Sequence, residues 1–418
     1  MVTRALVVAV IVLAAAGAAA TVSHPPPKDA AEIQALIDAA SEGAEVAPPP
    51  GHYVGHLIVN KPLVLDGRGQ VTIDAGGAGT VVLIKTDNAT VKGLRLVGTG
   101  EDHNAEDAGV QIRGNNNVVK DNVIEDALFG IDLQQSYYNV VRRNRISSKK
   151  LELGMRGDSI RLWYSDFNTL EDNEIYNSRD FVLWYAKHNK VTGTKSSGGR
   201  YGMHFMFSAE NVIENNQFVN NSVGISMMYD TGDVVRNNVI SHSTGASGTC
   251  ISLKEASAVT IVGNEILYCA NGIFMDVSPF QPGTVNVVEN NRIAFNDVAI
   301  SFLNDWHDNI FKGNRIKGNI TEVAVYGGGS ANKNVWDGNI WDDFEGWDRD
   351  GDGIGDTPHR VMGYAGRVWM DVPNTRFFKG TPLLEVVDFL DRLAPFSQPI
   401  VMLEDPHPRL ARHGEKLQ

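Results

Sequence analysis

Cysteine is nearly absent from this chain, with Cys250 and Cys269 the two among 418 residues. Two thiols make no disulfide framework, and without a Cys-x-x-Cys pair there is no zinc ribbon or dithiol redox centre. The expectation for both is a buried free thiol, although an exported compartment would permit them to pair. Long apolar runs are missing after the first twenty residues, so no later segment is long enough to span a bilayer as a helix. Positive charge is in deficit, with 37 Lys and Arg against 50 Asp and Glu. A phosphate backbone is bound by clustered cations, so nucleic acid is excluded as a partner. Disorder is excluded too, because 43% of the residues are apolar and 21% charged.

The one long apolar run opens the chain. MVTRALVVAVIVLAAAGAAATVSHPPP holds a single early cation, Arg4, then an uncharged stretch ending in Ala18, Ala19 and Ala20. It reads as a secretory signal peptide over residues 1–20, removed on export. The mature chain would then carry 36 cations against 50 acids, a net charge of −14.

What is abundant is a repeat. The phrase Asn-apolar-apolar-x-x-Asn recurs as NVVKDN (117–122), NVVRRN (139–144), NTLEDN (168–173, Thr in second place), NVIENN (211–216), NVVENN (286–291), NIFKGN (309–314) and NVWDGN (334–339), with weaker copies at 189–194, 233–238 and 259–264. Successive phrases close 21 to 29 residues apart. That period fits one coil of a parallel β-helix, in which short strands that cannot bury a face alone stack every ~4.8 Å into a continuous core. The asparagines then form side-chain amide ladders at the corners. Copies at 60–67 and 88–96 bring the expectation to about a dozen coils of an all-β, right-handed parallel β-helix over 21–341, capped by an N-terminal helix within DAAEIQALIDAASEGAEV (29–46). Residues 342–418 form a C-terminal segment with an Asp/Gly loop and the amphipathic helix LLEVVDFLDRL (383–393) between Pro382 and Pro395. That helix either buries its own stripe or docks on a membrane partner, and spacing does not separate the two.

A second strand follows each phrase: IDLQQ (131–135), IRLWY (160–164), FVLWY (181–185), MHFMF (203–207) and ISMMY (225–229). Alternation assigns Ile131, Leu133, Ile160, Leu162, Phe181, Leu183, Met203, Phe205, Ile225 and Met227 to the core. The outward ladder is Asp132/Gln134, Arg161/Trp163, Val182/Trp184, His204/Met206 and Ser226/Met228. Thioethers and an imidazole favour Cu(I), a soft ion, so His204, Met206 and Met228 are candidate copper ligands, with Trp163 and Trp184 as an aromatic face beside them. If a loop covers the ladder, the same residues are ordinary core.

DRDGDGIGD (348–356) places Asp348, Asp350, Asp352, the Ile354 carbonyl and Asp356 at positions 1, 3, 5, 7 and 9 of a Ca²⁺ loop. Position 12 is His359 in place of the usual Glu. Asp132, Asp158, Arg161 and Asp180 could be cast as a polysaccharide lyase or hydrolase site, yet Asp158 and Asp180 each precede a strand, where acids commonly hold turns. His307, in NDWHDN (304–309), reads as a surface residue. A passive scaffold with no metal beyond calcium is a third reading.

GDSIRLWYS (157–165), SRDFVLWYA (178–186), GGRYGMHFMFS (198–208), SPFQP (278–282), NDWHDN, GNIWDDFEGWDRDGDGIGDTPH (338–359) and WMDVPNTRFFKGTPLLEVVDFLDRLAPFSQP (369–399) together resemble the NosD family. The resemblance implies a periplasmic, non-enzymatic role in maturing the copper–sulfur centre of nitrous oxide reductase. It also implies an ABC transporter partner, made of an ATPase and a membrane permease, and copper supplied by a lipoprotein chaperone. The membrane would be met only through the transporter. No short motif carries copper ligands across, so His204, Met206 and Met228 rest on the alternation of the strands.

Overall fold

A computed structural model describes residues 26–364, 367–379, 381–394 and 399–410. The signal peptide expected at 1–20 and Pro395 lie outside these residues. Among them, no helix is long and apolar enough to cross a membrane.

Each turn of the stack contributes three short strands. One turn runs through Lys190–Thr192, Lys195–Ser197 and Tyr201–Met206, and the next through Val212–Glu214, Gln217–Val219 and Val223–Met228. Partners pair in parallel with Val191 on Ile213, Ser196 on Phe218 and Met203 on Ile225. The first two strands of each turn build one 25-stranded sheet, and the third builds a 12-stranded sheet opposite it. This all-β parallel solenoid reaches about 14 turns, slightly more than the dozen expected. The excess falls at the start, where Lys28–Asp29 and Glu45–Val46 pair into the stack without an Asn phrase.

Like residues stack because every turn repeats the same corners. Ile131, Leu133, Ile160, Leu162, Phe181, Leu183, Met203, Phe205, Ile225 and Met227 are all buried, as alternation requires. The amide ladders are present. Asn122 donates its backbone N–H and Nδ2 to Asn144 Oδ1, and Asn144 repeats this onto Asn173. Thr194 takes the next rung and donates its backbone N–H to Asn216, from which the amide line resumes through Asn238, Asn264, Asn291, Asn314 and Asn339. Asn215 and Asn220 turn their corners at φ 57° and 58°, a left-handed conformation that asparagine tolerates.

The first helix, α1 (Ala31–Ala39), covers the N-terminal end with Ile33 and Ile37 fully buried. At the other end an antiparallel hairpin, His359–Gly363 with Ile400–Asp405, lies over the last turn. Its Asp405 carboxylate accepts the Asn339 backbone N–H at 3.0 Å, Asn339 Nδ2 at 2.9 Å and Trp341 Nε1 at 3.1 Å. Two short helices, α2 (Val368–Asp371) and α3 (Pro382–Leu393), lie between the hairpin strands in sequence.

Cys250 and Cys269 are joined in a disulfide, which overturns the expectation of free thiols. Their sequence separation of 19 gave no sign of proximity, but the coil brings their Cα atoms to 5.8 Å.

Candidate metal and docking face

The 12-stranded sheet sets the candidate ligands in register. Gln134 pairs with Trp163, Trp163 with Trp184, Trp184 with Met206, Met206 with Met228 and Met228 with Lys254. A second outward row runs Asp132, Arg161, Val182, His204, Ser226. The structure thus sets Met206 beside Met228, with His204 on the same face two residues before Met206.

The two rows differ in exposure. Trp163, Trp184, Met206 and Met228 are half-buried, whereas Asp132, Arg161, Val182, His204 and Ser226 are buried although they point away from the core. Outward orientation did not bring exposure because flanking side chains close over the second row. Glu106 pairs with Arg161, Arg113 Nη1 donates to Asp132 Oδ2 at 3.0 Å, and the Tyr201 ring lies 4.6 Å from that of His204.

His204 is 8% exposed. Its Nδ1 faces Asp180 Oδ2 at 3.9 Å, and its Nε2 is buried without a hydrogen-bond partner. Burial depresses the imidazole pKa below the ordinary value, with Asp180 opposing and Arg200 and Arg179 assisting the fall. The ring is held neutral, with one nitrogen lone pair or N–H uncommitted. Trp163 and Trp184 meet edge to face at 4.6 Å.

A feature that alternation did not reveal lies at the next corner. Tyr164, Tyr185, Phe207 and Tyr229 stack face to face at 4.7, 5.1 and 4.8 Å. Strand alternation would send them inward with Leu162 and Leu183. Each adopts a left-handed φ between 46° and 62°, which swings its ring outward at a conformational cost for a bulky side chain. The visible signal was an aromatic after each outward Trp or Met in four successive turns.

The carboxylates considered for an enzyme are paired with guanidiniums. Arg161 Nε donates to Asp132 Oδ1 at 2.9 Å, Arg179 Nη2 to Asp158 Oδ1 at 2.9 Å, and Arg200 Nε to Asp180 Oδ1 at 3.0 Å. Burial pushes Asp158 up to about 6, with Arg179 pulling the other way.

In the Asp/Gly loop, Asp348, Asp350 and Asp352 each offer an oxygen within 4.8 Å of the others. The same carboxylates also hold the turn: Asp348 accepts the N–H of Gly351 and Gly353, and Asp352 that of Ile354. Asp356 is outside this trio and accepts Arg349 N–H at 2.9 Å. His359 turns away from the loop toward Glu322 and Asp343. Ile354 is bridged to Arg409, which ties the loop to the segment that follows the C-terminal strand. His307 is exposed and bonded to Asp308 at 2.9 Å.

The apolar stripe of α3 is only partly covered, with Leu384 packed against the core. Leu383, Val386, Phe389, Leu390 and Leu393 are all exposed, and Asp391 is the helix's buried residue. With Phe377 and Phe378 they leave an apolar face on the C-terminal segment.

The family described as "Periplasmic copper-binding protein (NosD)" matches residues 149–346. The chain is 24% identical over 400 residues to a Pseudomonas aeruginosa protein named "Probable ABC transporter binding protein NosD", covering 86% of this chain and 88% of that one. It is 26% identical over 425 residues to a Stutzerimonas stutzeri protein of the same name, covering 88% and 87%. Among solved structures, the A-module of Azotobacter vinelandii mannuronan C-5 epimerase AlgE6 has a TM-score of 0.56 at 18% identity, covering 74% of this chain and 94% of that module. The AlgE4 A-module scores 0.50 at 18% identity, covering 72% and 94%. At such identity the epimerases share the solenoid, and nothing about chemistry follows. Residues 149–346 thus match the NosD family model, and the chain is similar to NosD proteins along most of its length.

Proposed function

We propose that this chain is a periplasmic copper-handling assembly protein. It receives Cu(I) from a lipoprotein copper chaperone on the His204, Met206 and Met228 edge and passes it to apo nitrous oxide reductase for its copper–sulfur centre. The observation that carries this reading is the neutral, buried His204 with an unpartnered Nε2 on the face where Met206 and Met228 pair in register. Transfer proceeds by ligand exchange, soft donors being replaced one at a time so that no free ion is released. Trp163 and Trp184 shield the ion, and the aromatic stack from Tyr164 to Tyr229 gives the receiving protein a rigid surface.

The exposed face of α3 docks on an ABC transporter permease, whose ATPase drives the cycle by shifting the population of a binding-competent state. The protein itself has no turnover, and it meets the membrane only through that transporter. Ca²⁺ at Asp348, Asp350 and Asp352 braces the C-terminal segment.

The test is anaerobic Cu(I) titration of the mature protein against a competing chromophoric chelator. One equivalent should bind, weakened at least tenfold by His204→Ala and by Met206→Ala/Met228→Ala, about 1.4 kcal/mol. Equal affinity in all three proteins would move the ligands elsewhere. Turnover on uronate polymers that Asp158→Ala or Asp180→Ala abolishes would replace this reading with an enzymatic one.

A further inference from the structure

Three separate segments meet where the solenoid ends. Glu322 lies on Thr321–Val325, the last strand of the 12-stranded sheet; Asp343 follows Ile340–Trp341, the last strand of the opposite wall. His359 opens the C-terminal hairpin. One donor atom from each lies within 4.8 Å of the other two. His359 Nε2 is 3.6 Å from Glu322 Oε2 and 3.5 Å from Asp343 Oδ1.

Two of these groups carry an unmet demand. His359 is 6% exposed, and its Nε2 has both carboxylates at ion-pair distance but makes no hydrogen bond; Glu322 Oε1 is buried without one. Leaving such atoms dry and without a hydrogen bond is unfavourable, and a bound cation would relieve it. Ligand atoms ~2.1 Å from one tetrahedral ion lie ~3.4 Å apart, close to the separations seen here. The His359 ring is fixed by Trp341, stacked at 4.8 Å, and by Phe344, edge-on at 6.0 Å. Glu322 and Asp343 also line a cavity of about 340 Å³ beside the C-terminal segment, an entry path and room for a fourth, water ligand.

We propose that Glu322, Asp343 and His359 form a zinc-type divalent cation site that pins the C-terminal hairpin to the last turn. One imidazole and two carboxylates suit a borderline divalent ion. They are too hard for Cu(I), and an imidazole nitrogen is a poor ligand for Ca²⁺, which takes oxygen. The site is separate from the Asp348 loop and from the copper edge, so its failure would leave the copper reading standing.

The experiment uses metal-free mature protein, Zn²⁺ and a competing chelator, with melting temperature recorded alongside. The wild type should bind one equivalent and melt higher with Zn²⁺. His359→Ala and Glu322→Gln should each lose at least tenfold in affinity and the thermal shift. Asp343 is largely exposed, so Asp343→Asn keeps the fold if the buried variants do not, and it too should lose tenfold. Asp350→Asn should bind Zn²⁺ as the wild type does. Wild-type affinity in Asp343→Asn, a loss confined to Asp350→Asn, or equal competition by Ca²⁺ would each overturn the assignment.

Discussion

Single side chains explain where the stack is tuned away from its own repeat. Asp233 stands where the ladder Asn117, Asn139, Asn168, Asn189, Asn211 would place another amide. It accepts Asn211 N–H and Nδ2, yet its Oδ2 is buried and unpartnered, as is Oδ2 of neighbouring Asp230. Burial pushes Asp233 up to about 7. An Asp233→Asn variant keeps the acceptor and supplies a donor toward Asp230. It should gain ~1–3 kcal/mol in urea denaturation at pH 8. The gain should shrink at pH 5, where the wild-type carboxyl already holds its proton. His204 works in the opposite sense. Its folded pKa is depressed, so its contribution to stability is intact above the ordinary histidine value and is lost as pH falls below it. Cu(I) affinity should accordingly stay level between about pH 7.5 and 6.5 and decline only at lower pH, by chelator competition across that range. A tenfold loss per pH unit beginning above pH 6.5 would mean a solvated ring.

At the level of strands and helices, the ladder and the C-terminal pieces answer to different forces. Asn216 accepts Thr194 N–H at 2.9 Å and donates to Val191 O and Asn238 Oδ1. Asn216→Ala strands buried groups on both neighbouring turns, and a loss of ~2–4 kcal/mol should show in the urea midpoint. In contrast, Leu383→Ser with Phe389→Ser on α3 should leave the midpoint within ~0.5 kcal/mol, because both side chains are exposed. If α3 is the docking element, that variant loses co-purification with the transporter while keeping Cu(I) affinity. Glu322 gives this end its own pH signature. Its folded pKa is raised, so stability falls as pH climbs from about 4.5 through about 7, by ~3 kcal/mol if no cation is bound. Glu322→Gln or added Zn²⁺ should flatten that slope in thermal melts.

Across the whole molecule, local signals carried the solenoid and missed what depends on closure. The Asn phrases and alternation placed the coils, the core row from Ile131 to Met227 and the outward row, because each turn repeats the same corner chemistry. The burial of His204 was not readable, since alternation gives only its direction and not the Tyr201 ring and Asp180 carboxylate that lie against it. Tyr164, Tyr185, Phe207 and Tyr229 were hidden by a left-handed corner that breaks the period of two. Cys250 with Cys269, and Glu322 with Asp343 and His359, meet only after the chain has coiled. The amide ladder also has a direction: from Asn216 to Asn314 each asparagine hands its N–H groups to the oxygen of the following turn. Asp405 receives from Asn339 and, being a carboxylate, has no N–H to hand on. It therefore acts as a chain terminator in a directional polymer. Where an amide would offer its N–H groups to one more rung, an acceptor-only group ends the sequence of handovers along this corner of the rod.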